Sequence, residues 1–169
     1  MRLAVAAVAA VAAAGALLVP AGSTLPGAEP RLAGPPATLV QYGYVRSLTR
    51  AGGAFRMRFD PALWLTGETA NRAAIEDGVI SPGDTVPNDY YIRNESRRAL
   101  VYDVPPGARA TILTIPGSGP RSTRIAVAEL AAIVRGGNPR GRKLYARDLG
   151  YWIRVVGDRV GRLDQQYQP

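Results

Sequence analysis

Neither histidine nor cysteine occurs in the 169 residues. Their absence removes Ser-His-Asp and Cys-His nucleophilic catalysis, since there is no imidazole base and no thiolate. It also removes the usual ligand sets of structural zinc, His-bound catalytic zinc, haem and iron–sulfur clusters. No disulfide can brace the fold, so a hydrophobic core has to hold it. Lysine is nearly absent too: Lys143 is the only one, and every other basic residue is arginine. The chain has no phosphate-cradling G-x-x-x-x-G-K-[ST] loop, no G-x-G-x-x-G after a strand-like segment and no EF-hand loop. Nucleotide-dependent chemistry therefore has no support, and no metal or cofactor is expected.

The chain opens with Met1-Arg2 and a run of Ala, Val, Leu and Gly from Leu3 to Val19, broken by Pro20. Val19-Pro20-Ala21 has the small-x-small form of a signal-peptidase site. We expect residues 1–21 to be a signal peptide of the Sec type, and the protein to be secreted or held in the cell envelope. The competing reading is an uncleaved anchor, but this run is at the short limit of the roughly 20 residues needed for a span. Residues 22–37 are rich in Pro, Gly and Ala and read as a disordered linker. A single domain is expected over residues 38–169, and at that length it buries enough surface to fold. The net charge of +8 favours approach to anionic envelope polymers or lipid headgroups. Abundant Arg, Ala, Gly, Pro and Val is also the composition that GC-rich coding produces.

Leu39–Leu48 reads as a first strand, with Gly43 marking a bulge or bend. Phe55, Met57 and Phe59 alternate with Arg56 and Arg58, the cleanest half-buried strand in the chain. Asp60-Pro61 reads as the N-cap and first turn of a short helix over Ala62–Leu65. Thr69–Asp77 is a second helical candidate, stopped by Gly78. Val79–Pro87 is turn chemistry. Asp89–Asn94 and Ala99–Val104 read as strands paired with each other, Ala110–Ile115 as a central strand, and Tyr151–Val156 with Arg159–Leu163 as a final hairpin. Val127–Arg135 is the best helix, with Val127, Leu130, Ala131 and Val134 on one face and a weak start at Ala126. The whole reads as α+β: a small antiparallel β-barrel or curled sheet of about seven strands, OB-like as one possibility, with one main helix and a helical excursion between strands 2 and 3.

Six of the 13 acidic residues lie between Asp60 and Ile92. Asp60, Glu68, Glu76, Asp77 and Asp89 could supply a glycosidase-type acid/base pair. Each also has an ordinary local role: Asp60 as a cap, Glu76-Asp77 as a helix end, Asn88-Asp89 as a turn. The aromatic residues Trp64, Tyr90, Tyr91, Tyr102, Tyr151 and Trp152 could line a groove. In a regular strand adjacent rings point to opposite faces, so each of the pairs Tyr90-Tyr91 and Tyr151-Trp152 is expected to expose one ring. The candidate binding surface is thus Trp64, Asp60, Asp77, Asp89, Tyr90, Tyr91 and Trp152. A second candidate is a polyanion contact at Arg135, Arg140, Arg142, Lys143 and Arg147.

The phrases F-R-M-R-F-D-P-A-L-W-L-T-G (Phe55–Gly67), P-N-D-Y-Y-I (Pro87–Ile92) and L-D-Q-Q-Y-Q-P (Leu163–Pro169) resemble small secreted proteins of actinobacteria. The resemblance implies source and export but no activity. The expectation is a non-enzymatic module binding an envelope polymer, a protein or a small ligand. Nucleic acid is disfavoured by export, and membrane contact is expected only through an uncleaved signal segment or electrostatics. A carboxylate-dependent hydrolase of cell-wall polymer or glycan is the alternative, and a secreted inhibitor using Val79–Pro87 is a third reading.

Overall fold

The computed structural model describes residues 37–95 and 98–169; the expected signal peptide and nearly all of the linker lie outside them. β1 (Thr38–Ala51) and β2 (Ala54–Thr66) form a long hairpin. Phe55, Met57 and Phe59 turn inward as their alternation demands. α1 (Gly67–Glu76) follows, then a single 3-10 turn at Pro87–Asp89. Next come β3 (Tyr90–Arg93), β4 (Leu100–Val104), β5 (Arg109–Thr114) and β6 (Arg121–Ile125). α2 (Val127–Val134), β7 (Tyr151–Val156) and β8 (Arg159–Gln165) complete the chain. The described residues thus form an α+β fold that is mostly sheet, with eight strands and two helices.

The sheet is ring-like without being a barrel. β1 pairs with β2 and β7, β2 with β4, and β7 with β8. β4 meets β8 through one parallel pair, Asp103↔Arg159, supported by a 3.0 Å bond from the Asp103 N–H to the Asp158 carbonyl. β5 and β6 extend the sheet from β8, and β3 extends it from β2. Inside lie Leu48, Met57, Phe59, Val104, Ile112, Ile153 and Leu163, closed over by Val127, Leu130 and Ala131 of α2. Each such side chain contributes about 1.5–3 kcal/mol through burial. Ala126, at the N-cap of α2, makes no side-chain cap bond, so the helix is held by packing on β1 and β5.

Three local expectations are corrected. Asp60 and Pro61 do not start a helix: β2 runs unbroken through them to Thr66. Nine register pairs with β1 outweigh the local capping signal. β3 and β4 do not pair with each other; both lie against β2. β6, with the polar sequence Arg-Ser-Thr-Arg-Ile, is an eighth strand that carries no apolar alternation.

Candidate functional site

β1 and β2 stay paired from Ala51↔Ala54 to Tyr42↔Ala62, then part. The start of β1, Thr38–Gly43, pairs with β7, and the end of β2, Leu63–Thr66, pairs with β3. Gly43 sits at the crossing. A Cβ there would lie 2.2 Å from the Asp60 carbonyl oxygen and 2.8 Å from Phe59 Cζ, so the two backbones cross at a distance open only to glycine.

A cleft of about 590 Å³ opens where the strands part. Leu39, Val40, Pro61 and Leu63 give it apolar walls, Tyr42, Trp64 and Trp152 add aromatic surface, and Arg93 and Glu95 are its charged members. Leu39, Val40 and Leu63 are 49%, 50% and 57% exposed. Three large aliphatic side chains are thus left in water around one concavity, grouped and not scattered singly over the surface.

The aromatic residues are locked together. Trp64 stacks on Tyr90 with ring centroids 4.4 Å apart and planes 8° from parallel. It meets Tyr42 edge-on at 5.1 Å and lies 6.5 Å from Trp152. Tyr42 and Trp152 face each other across the β1–β7 ladder, their rings 5.2 Å apart. The C-terminal tail fastens both: Gln168 Nε2 donates to Tyr42 Oη at 2.8 Å, and Trp152 Nε1 donates to Gln166 Oε1 at 3.0 Å. Burial raises the Tyr42 hydroxyl well above its ordinary value, and does the same to Tyr151 inside the ring. An unfolded chain releases these protons near pH 10 while the native one retains them. Stability is therefore expected to be full below about pH 10 and to fall above it, by about 1.4 kcal/mol per pH unit for the enclosed Tyr151 and by less for Tyr42. Denaturant titrations between about pH 9 and 12 check this; a flat profile would contradict it.

The reverse face of the β2–β3 ribbon carries α1. Leu65 and Tyr91 pack on Ala70, Ala74 and Val86. Arg93 donates to both Asp77 oxygens at 2.8 Å, to Glu76 Oε2 at 3.0 Å and to the Ala73 carbonyl at 2.8 Å, clasping the end of α1 to β3. The Asp77 carboxyl is held below its usual value, first by Arg93 and also by the Tyr91 hydroxyl.

The expected binding surface is therefore divided. Trp64, Tyr90 and Trp152 form one cluster beside the cleft. Tyr91 and Asp77 lie on the α1 side. Asp60 is buried, accepting hydrogen bonds from Arg46 and Asn94. Asp89 is exposed, in left-handed backbone at φ 56° next to Asn88 at 58°. Tyr90 and Tyr91 are both half-buried, Trp64 stacking on one ring and the α1 side packing on the other; Tyr151 is buried and Trp152 half-buried. Among the described residues no group of three acidic side chains could hold a metal, and Glu95 is the one carboxylate lining the cleft. Tyr42, Leu39, Val40, Leu63 and Arg93 were not singled out from the sequence. Gly43 was the only local sign of the crossing.

The basic run is largely engaged within the fold. Glu129, buried on α2, binds Arg142 Nε at 2.5 Å and Arg140 at 3.3 Å. Arg147 donates to the Gly137 carbonyl at 2.7 Å, and Arg135 reaches the Leu48 carbonyl at 3.4 Å. Asn138 closes the loop by exchanging hydrogen bonds with the Arg142 backbone. Glu129→Ala is expected to lower stability by about 2 kcal/mol, through lost charged hydrogen bonds; thermal melts of the variant measure it. The loop after α1 is also pinned: Val86 is buried and its N–H donates to Asn71 Oδ1 at 2.8 Å, and Ile80 packs beside it.

No family model matches the chain, and no curated protein or solved structure shows significant similarity to it.

Proposed function

We propose that this protein is an exported, non-enzymatic binding module of the cell envelope or its surroundings, and that its ligand occupies the cleft between the parted strands. The observation that carries this reading is the cleft itself: exposed Leu39, Val40 and Leu63 around one concavity, backed by a rigid aromatic cluster. A single lining carboxylate supports binding over hydrolysis, which needs two. The leader-like start of the sequence supports export. We read the ring order β1-β2-β4-β8-β7, with its parallel β4–β8 contact, as a partly open relative of the five-stranded OB arrangement. That architecture serves many ligands, so the ligand must be argued from the site and not from the fold.

Both tryptophans of the chain, Trp64 and Trp152, line the cleft, so tryptophan emission reports on this site. Anilinonaphthalene sulfonate is expected to bind there and change tryptophan emission. Leu63→Glu is expected to weaken that binding about tenfold, a loss of about 1.4 kcal/mol, while melting like the wild type because Leu63 is mostly exposed. Binding that ignores Leu63→Glu would place the site elsewhere. Hydrolysis of a cell-wall glycan that is lost in Glu95→Gln would replace this reading with the hydrolase.

A further inference from the structure

We infer that the cleft takes an extended peptide as an added β-strand, apolar where it crosses the cleft and acidic beyond Trp152. This rests on the cleft being the ligand site, as proposed above.

The first argument is backbone geometry. β2 lies between β3 and β1 in the sheet, and β1 lies between β2 and β7. Past the Tyr42↔Ala62 pair their common edge is open. Among the described residues, Thr38–Gln41 pair only with β7 and Leu63–Thr66 only with β3. In an antiparallel ladder alternate residues aim both N–H and C=O to the same side. Each segment therefore turns half of its backbone groups toward the other across the cleft. An edge of four residues at about 3.3 Å per residue is roughly 13 Å long, the length of a short strand. Such an edge is a template for strand addition.

The second argument is the lining. Along the walls most polar groups are already engaged, and Glu95, 73% exposed, is the one carboxylate left facing water. The Gln41 amide oxygen accepts the Tyr102 hydroxyl at 2.7 Å, and Arg93 is spent on α1. What the cleft offers is apolar surface from Leu39, Val40 and Leu63 together with open strand edges. That combination suits a peptide with apolar side chains.

The third argument is charge. Over Val40 and Trp152 the surface continues into a second depression of about 490 Å³, which Arg154 and Arg162 also line. Arg162 is neutralised by Asp164. Arg154 stands opposite Val40 in the β1–β7 register, is exposed, and forms no ion pair among the described residues. A carboxylate on a peptide leaving the cleft over Val40 meets this cation, and the net charge of +8 favours its approach.

The test uses short, end-blocked peptides titrated against the whole protein with tryptophan emission as the readout. One alternates Val with Glu, one alternates Val with Lys, and one is the Val/Glu peptide methylated on alternate backbone nitrogens. The Val/Glu peptide is expected to bind about tenfold more tightly than Val/Lys, Arg154→Glu to reverse that order, and N-methylation to cost about tenfold. Full binding of the N-methylated peptide overturns strand addition. An unchanged preference in Arg154→Glu overturns the acidic assignment. If no peptide binds, peptide recognition is overturned, and the fluorescent sulfonate separates the two readings. Its binding, weakened in Leu63→Glu, leaves the cleft as a ligand site for another chemistry; its failure to bind removes both.

Discussion

Gly43→Ala is expected to destabilise the protein by about 3 kcal/mol, at the upper end of ordinary overpacking. The added methyl would lie 2.2 Å from the Asp60 carbonyl oxygen and 2.9 Å from Pro61 Cα. Both are backbone atoms of β2, so no rotamer change relieves the contact, and β1 and β2 must move apart. For a domain of this size the loss is roughly 10 °C in melting temperature. Gly53→Ala is the control: a Cβ at that position has nothing within 4 Å and the residue is not in left-handed backbone, so it is expected to melt within about 0.5 kcal/mol of wild type. The crossing also sets where the strands part. Gly43→Ala should therefore shift tryptophan emission and weaken cleft binding, whereas Gly53→Ala leaves both unchanged. A Gly43→Ala protein as stable as the Gly53→Ala control would mean that the crossing is looser than 2.2 Å implies.

The physical reason that Gly43 matters is the reason the site was only partly legible in the sequence. Phe55, Met57 and Phe59 announce a half-buried strand because alternation is a local property, and Val127, Leu130 and Ala131 announce α2 in the same way. Asp60-Pro61 misleads because the same residue pair serves a helix start and a strand that twists away from its neighbour. Only the pairing with β1 decides between them. Arg121–Ile125 is invisible as a strand because its stability comes from backbone bonds to β5, which carry no side-chain pattern. Leu39, Val40 and Leu63 look like core residues in the sequence. They are exposed because the ladder ends at Tyr42↔Ala62, and a ladder's end depends on residues far apart in the chain. Likewise Arg142 looks like part of a basic patch until Glu129, 13 positions earlier, is found beside it.

Trp64 was legible as a candidate binding residue, but its place in the fold differs from the one its sequence neighbours suggest. In sequence it sits before α1 and invites the reading that it pins the helix. In the fold it points to the opposite face of the β2–β3 ribbon, where it joins Tyr90, Tyr42 and Trp152, while Leu65, Tyr91 and Arg93 hold α1. Trp64→Ala is therefore expected to cost about 3 kcal/mol, the lower end for tryptophan truncation because the ring is half-buried, and to abolish cleft binding by removing the surface behind Leu63. The α1 signal in far-ultraviolet circular dichroism should persist, since none of the groups clasping that helix is touched. Trp64→Phe should recover more than half of the stability by restoring the stack on Tyr90. A double-mutant cycle between Trp64→Ala and Tyr90→Ala should give a coupling of about 1 kcal/mol. A vanishing coupling would make the stacked pair incidental. Loss of α1 together with Trp64 would return the residue to the role its sequence neighbours suggest, and the cleft would then have no independent aromatic support.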